Sequence, residues 1–306
     1  MEETAPVQTA GKDEHHPKRD WYDRYYKLLL VLPVVLFIGC LVYLGVFYSQ
    51  QGDFFIKDSS LAGGTSITIN GDIDPTDLES ALKQSFDDIY VRTISDVRSG
   101  DILAVIVESS ATPEQLKPAI EETLGYELSP SNSTIEFSGS TLSQNFYRQL
   151  IIAIIVSFIL MSIVIFFLFR TFVPSIAVIF AAFADIVMAV AVVNLLGIRI
   201  SAAGIAAFLM LIGYSVDTDI LLTTRVLKKH EGSVNTRIYG AFKTGMFMTL
   251  TGLAAVLPAF LLVTSLPDSF RQIFLILAIG LCGDMINTWL TNASILKWYA
   301  VKRGMH

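Results

Sequence analysis

Six apolar runs dominate the chain and leave it few ways to fold. They extend from Lys27 to Tyr48, Leu150 to Phe169, Phe172 to Leu196, Ser201 to Thr223, Gly245 to Thr264 and Phe270 to Leu290. As a helix rising about 1.5 Å per residue, each is long enough to cross a hydrocarbon layer about 30 Å thick. The 306-residue chain is 53% apolar and only 16% charged, which excludes an ordinary water-soluble globule. The runs predict an α-helical polytopic membrane protein with six transmembrane helices. The first run reads as a retained anchor and not as a cleaved signal. Its apolar stretch is too long, its leader is long and partly acidic, and no small-residue cleavage site follows. Cys40 and Cys282 both fall inside predicted spans, so neither a disulfide framework nor a cysteine metal site is expected.

Basic residues orient the helices. Lys12, Lys18, Arg19, Arg24 and Lys27 precede or open the first run, and Arg170 ends the second. Arg225, Lys228, Lys229, Arg237 and Lys243 follow the fourth, and Lys297, Lys302 and Arg303 follow the sixth. With alternating helices all of these fall on one side, and the opposite short loops carry only Arg199 and Arg271. Both termini are therefore expected in the cytoplasm. The layout is a leader over residues 1–26 without fold, a first span over 27–48, an extracytoplasmic domain over 50–147, five further spans over 150–296 and a tail over 297–306.

Acidic side chains far outnumber basic ones in the 50–147 segment, which argues against nucleic acid or anionic lipid as its partner. Its pattern is regular. "TSITIN" alternates branched and polar residues as a strand does, and "DPTDLESALKQSF" opens with an Asp cap and a first-turn proline. "IYVRTISDV" and "DILAVIVES" read as strands joined at "RSGD", "TPEQLKPAIEETLG" as a second capped helix, and "STIEFSG" as a closing strand. The order βαββαβ predicts a ferredoxin-like α+β domain. It holds no phosphate loop, no paired catalytic acids and no histidine, so it reads as a contact domain and no enzyme is expected. Just before it, Gly63 and Gly64 permit either a hinge or a close backbone approach.

Four aspartates, Asp185, Asp217, Asp219 and Asp284, lie within the predicted spans, where a carboxylate costs roughly 2.5–3.5 kcal/mol or more. Asp217 and Asp219 are two residues apart, about 200° around a helix, so they cannot share one partner. One is expected to face the bundle interior or a water-filled crevice, the other a second subunit or the cytoplasmic rim. By rise per residue Asp185 sits about 20 Å and Asp217 about 12 Å from the cytoplasmic side, with Asp284 level with Asp217. Acids staggered in this way can form a proton or cation path, with Asp217 the first choice of carrier. Equally, they can hydrogen-bond Asn194, Thr218, Asn287 and Thr288 and lock the packing. Small residues (Ala203, Gly204, Ala207 and Gly213, then Gly280 and Gly283) allow close helix approach.

Six helices with one large domain between the first two resemble half of a resistance-nodulation-division protein. "AGGTS" before the domain and "GYSVDTDILLTTRV" on the fourth helix resemble the archaeal SecF type of the SecD/SecF family, over essentially the whole chain. The resemblance implies a non-enzymatic accessory of protein export in the cell membrane, without cofactor or metal. Its partners would be SecD, the Sec translocation channel, unfolded secretory proteins and the lipid bilayer, not nucleic acid. It implies ion coupling at Asp217 or Asp219, while Asp284 and Asp185 are further candidates by their place within the spans. The motif residues it marks are Gly213, Tyr214, Ser215 and Arg225 on the fourth helix and Gly63, Gly64 and Thr65 at the domain entry. Lys243 is the nearest match to a basic residue early in the fifth helix.

Other classes fit less well. A lipid or small-molecule transporter half of the same superfamily shares the layout but normally carries twelve helices. An intramembrane aspartyl protease needs Gly-x-Gly-Asp, whereas residues 281–284 read Leu-Cys-Gly-Asp. A structural scaffold shares every feature above. His15, His16 and His230 read as solvated.

Overall fold

The computed structural model describes residues 21–96, 99–228, 232–262 and 268–305. Six helices in it are long and apolar enough to cross a membrane. The first, α1 (Trp21–Gln51), is followed by a short turn of helix, α2 (Ser59–Ala62), and then by the domain. The domain runs β1 (Gly64–Asn70), α3 (Pro75–Leu82), β2 (Tyr90–Ser95), β3 (Ile102–Ser109), α4 (Pro113–Leu124) and β4 (Ser133–Ser138). The remaining spans are α5 (Ser140–Phe169), α6 (Phe172–Leu195), α7 (Ala202–Lys228), α8 (Val234–Leu262) and a sixth helix built of α9 (Asp268–Ile286), a π-helical turn (Asn287–Asn292) and α10 (Ala293–Lys302).

Several helices outrun their apolar runs. The sixth passes Leu290 because Thr291, Asn292 and Lys297, which end the hydropathy signal, turn inward, and Asn292 and Lys297 find partners there. The expected leader covers residues 1–26, but helix already begins at Trp21, where Tyr22 is buried and Asp23 pairs with Lys297 at 2.7 Å. Residues 1–20, with His15 and His16, and likewise His230, lie outside the described residues. The segment 140–147 belongs to α5 and not to the domain, and Tyr147 bonds Asp53 at 3.1 Å.

The domain is a four-stranded antiparallel sheet in the order β2-β3-β1-β4, the ferredoxin-like arrangement. Strand alternation places Ile67, Ile69, Val105 and Val107 on one face, where they pack with Leu78, Leu82, Leu116 and Ile120 of α3 and α4. The local signals act as read: Asp74 caps α3 through Thr76 N at 2.8 Å, and Gly125 closes α4 at φ 75°. The other face carries Ser66, Thr68, Arg92, Glu108 and Glu136 and overhangs the ends of α7 and α9 across a cleft of about 580 Å³.

Gly63 and Gly64 do not behave as a hinge. Their φ values are 90° and 133°, and a Cβ on either would strike the backbone of Ser140 or of Ser109 and Ser110. Thr65 is buried and donates to Ala111 O at 2.6 Å. The entry motif is a close-packed crossing.

A charged junction joins domain to bundle. Glu108, 1% exposed, receives Arg92 at 3.1 Å from β2 and Arg199 at 3.4 Å from the α6–α7 loop. Arg199 also lies 3.9 Å from the centre of the Tyr90 ring. Backbone bonds from Ile200 N to Ile56 O (2.7 Å) and from Asp58 N to Ile200 O (3.1 Å) continue the seam. The N-terminus of α7 is held by Ser60, whose Oγ accepts from Ala202 N at 3.1 Å and donates to Asp58 at 2.6 Å. Gln272 of α9 completes the clasp through Ser201 and Arg199 O.

Burial beneath the sheet, aided by nearby Glu108, pushes the Asp58 carboxyl up to about 7 from its ordinary 3.8. Between those values the folded chain keeps a proton that the unfolded chain has released. The contribution of Asp58 to stability is therefore full below about pH 4 and is lost as pH rises to 7, by up to about 1.4 kcal/mol per unit. Thermal unfolding in detergent should show Asp58→Asn flattening this decline; an unchanged slope would show that Asp58 is not its source.

Candidate functional site

The bundle is asymmetric. The helices α6, α7 and the sixth are half buried or more, whereas α1, α5 and α8 present most of their surface outward. The interior of the first three is where the polar residues gather. On α7 the segment from Tyr214 to Arg225 acts as a row of fasteners to its neighbours. Tyr214 donates to Met248 O of α8 at 3.2 Å, and Ser215 donates to Asp185 of α6. Thr218 reaches both oxygens of Asp284 at 3.0 and 3.1 Å. Arg225 donates to Gly240 O at 2.6 Å and to Thr244 Oγ1 at 3.0 Å, both on α8. Gly213 faces outward with open space around it.

Three of the four aspartates meet. Asp185, Asp219 and Asp284 are fully buried on three different helices. Asn287 donates to Asp185 at 2.6 Å, and Asn292 donates to Asp219 at 2.7 Å. Thr288 Oγ1 stands 2.9 Å from Asp219 Oδ1 and 2.9 Å from Asp284 Oδ1. Among the described residues no lysine, arginine or histidine is paired with any of the three. Nor, among those residues, is any group of three His, Cys, Asp or Glu side chains placed to hold a metal ion.

Hydrogen counting constrains this cluster. A threonine hydroxyl carries one proton, and an ionised carboxylate only accepts. Thr288 has one hydroxyl proton for two carboxyl acceptors, Asp219 and Asp284, so it either shares that proton between them or receives a second proton from one of them. Asp219 Oδ2 has no partner at all among the described residues, a poor setting for a full charge in a dry interior.

The fourth aspartate is elsewhere. Asp217, the first choice of carrier from sequence, has its side chain exposed on the outer face of α7, without a hydrogen bond or ion pair to the described residues. The 200° between Asp217 and Asp219 therefore separates an inner acid from an outer one, and Asp219 is the inner one. Of the polar partners anticipated, Thr218, Asn287 and Thr288 serve the acids, while Asn194 instead donates to Phe54 O at 2.7 Å. Asn292 went unanticipated. Its signal was available, since Asp284, Thr288 and Asn292 recur every fourth residue and form one stripe. The π turn that aims this stripe, a distortion frequent at functional sites, left no mark in the sequence.

A six-helix bundle with buried acids and one ferredoxin-like domain on a single face defines a class of membrane protein in which this chain has close company. The family model "Protein export membrane protein SecD/SecF, C-terminal" matches residues 119–302. The SecF proteins of Methanolacinia petrolearia and Pyrococcus furiosus are 38% and 36% identical, covering 91% and 90% of this chain and 95% and 92% of their own. SecF of Haloferax volcanii is 34% identical over 91% of this chain and 94% of its own. The crystal structure of SecDF, a translocon-associated membrane protein from Thermus thermophilus, shares the fold with a TM-score of 0.74 at 17% identity. That match covers 93% of this chain, which spans 39% of the SecDF chain. The chain belongs to the SecD/SecF family of protein-export membrane proteins and is similar to its archaeal SecF members.

Proposed function

We propose that this chain works with a SecD partner beside the Sec translocation channel and couples a proton gradient to outward movement of unfolded secretory chains. The observation that carries the coupling is the Thr288 hydroxyl set between two buried carboxyls, where one hydroxyl proton serves two acceptors and a proton on either acid completes the bonding. Gain or loss of that proton changes the hydrogen bonds joining α7 to the sixth helix, so the two charge states favour different packings of the bundle. The junction at Glu108 and Arg199 supports transmission of such a change to the domain. Asp217 supports the need for a partner. A carboxylate on an outward face at membrane depth is stabilised by a polar surface and not by lipid, and the adjoining face of α8 is also uncovered. In this reading the termini are cytoplasmic and the domain extracytoplasmic.

The test is reconstitution of the chain with SecD and the channel in vesicles, with export of a reporter followed under an imposed gradient. A proton gradient should stimulate export and a sodium gradient of equal size should not. Equal export with and without a gradient would leave only a scaffold. Stimulation by sodium alone would replace the proton with another cation.

A further inference from the structure

At the end of the bundle away from the domain, a groove of about 480 Å³ runs between the start of α1 and the end of α10. It is lined by Tyr26, Lys27, Leu30, Ser294, Ile295 and Trp298. Its volume lies in the range of small-ligand sites, about 300–1,000 Å³. The walls are mainly apolar, and the groove opens sideways between two helices whose neighbouring residues Leu28, Val31 and Trp298 face outward. Aromatic rings cluster at this level: Trp21, Tyr25 and Tyr26 on α1 and Trp298 on α10, the side chains that mark a membrane–water boundary. The groove thus sits at the height where a lipid headgroup meets its acyl chain.

The rim carries one sign of charge. Lys27 and Arg24 project from α1, and Lys302 lies 5.1 Å from the centre of the Trp298 ring on α10. Arg303 lies next to Lys302, over the Tyr299 ring at 4.9 Å. None of these four cations has a carboxylate within ion-pair distance among the described residues. The nearby acid Asp23 is engaged by Lys297, which is itself 6% exposed and also bonded to Asn235 at 2.5 Å. The internal clasp uses the buried Lys297 and leaves the exposed cations free for an external anion.

We propose that this groove binds one anionic phospholipid, its acyl chain lying along Leu30 and Ile295 and its phosphate held by Lys27 and Lys302. The long lysine stems reach from the apolar wall to the headgroup plane. The bound lipid joins α1 to α10 by a second tie beside the Asp23–Lys297 ion pair. This inference stands apart from gradient coupling and from the assignment of the aspartates.

The experiment is native mass spectrometry of the full-length protein equilibrated with equal amounts of phosphatidylglycerol and phosphatidylcholine of the same chain length. Phosphatidylglycerol should be retained in excess. Removing one rim cation should reduce the excess about five-fold, the equivalent of about 1 kcal/mol per basic residue, so Lys27→Glu with Lys302→Glu should abolish it. Ile295→Trp fills the floor but leaves the cations and should lower total retained lipid. A lipid with a photoreactive acyl chain should label peptides from α1 and α10. Equal retention of both lipids, or an excess that survives the lysine reversals, would overturn the proposal. So would equally strong competition by soluble glycerol phosphate, which would show an anion site without an acyl-chain site.

Discussion

Export of a secreted reporter should fall to the level seen without the chain when Asp219 or Asp284 is replaced by asparagine. It should largely survive Asp217→Asn. Asparagine keeps the size of the side chain and can still hydrogen-bond Thr288 or Asn292, so packing at the cluster changes little. What it removes is the ability to gain and lose a proton. Asp185→Asn should weaken export as well, because Asp185 ties Ser215 of α7 to Asn287 of the sixth helix and so belongs to the same network. Asp217 points away from that network, and its replacement should act, if at all, on association with the partner. The measurement is reporter export at matched membrane levels, with co-purification of SecD as the check on assembly. Full export by Asp219→Asn would return the buried acids to packing. Loss of export in Asp217→Asn with assembly intact would move the coupling to the outer face of α7.

The second large effect should come from Gly64→Val. At φ 133° an L side chain is strained, by about 1–3 kcal/mol. A Cβ there would also overlap the Ser109 carbonyl and lie 2.9 Å from Ser110 Cα, both backbone atoms with no rotamer to yield. Overpacking of this kind adds about 1–3 kcal/mol, against a total of about 5–15 kcal/mol for a typical domain. The crossing also carries the buried Thr65 and the start of the central strand β1, so damage spreads to both neighbours of that strand. Limited proteolysis should cut the 64–138 region in the variant and spare it in the parent, while the membrane helices remain inserted. A variant as resistant as the parent would show that β1 can shift away from β3 without unfolding.

Much of the architecture was legible because lipid and pleated sheet impose strong periodicities. The six spans are all present, the four strands lie within a few residues of their expected places, and the strand order is the ferredoxin-like one that the βαββαβ pattern predicts. The ends of the spans were less legible. Asn292 and Lys297 lower the hydropathy of the sixth helix although both are buried, because hydropathy records residue type and not partner. The aspartates show the same limit. Sequence placed Asp217 and Asp219 on opposite sides of one helix, but which side faces inward is decided by neighbours remote in sequence, Thr288 and Asn292. The junction was invisible for a related reason. Glu108 sits in an alternating strand like any exposed acid, and only the return of Arg199, 91 residues later, buries it between two cations.

That separation has a consequence for how the protein is made. Residues 64–138 leave the ribosome and can form their sheet early, with Arg92 only 16 residues from Glu108 and available at once. The second cation, and the Ile200 backbone that continues the seam, arrive only after two more spans have been threaded into the membrane. Until then the polar face of the sheet has nothing beneath it and Glu108 stays open to water. Docking of the domain therefore waits for a loop that exists only when the third and fourth helices have entered with the right orientation. A chain whose fourth helix inserts backwards presents Arg199 to the wrong side of the membrane and leaves its domain undocked, so correct threading is recorded in whether one glutamate is covered.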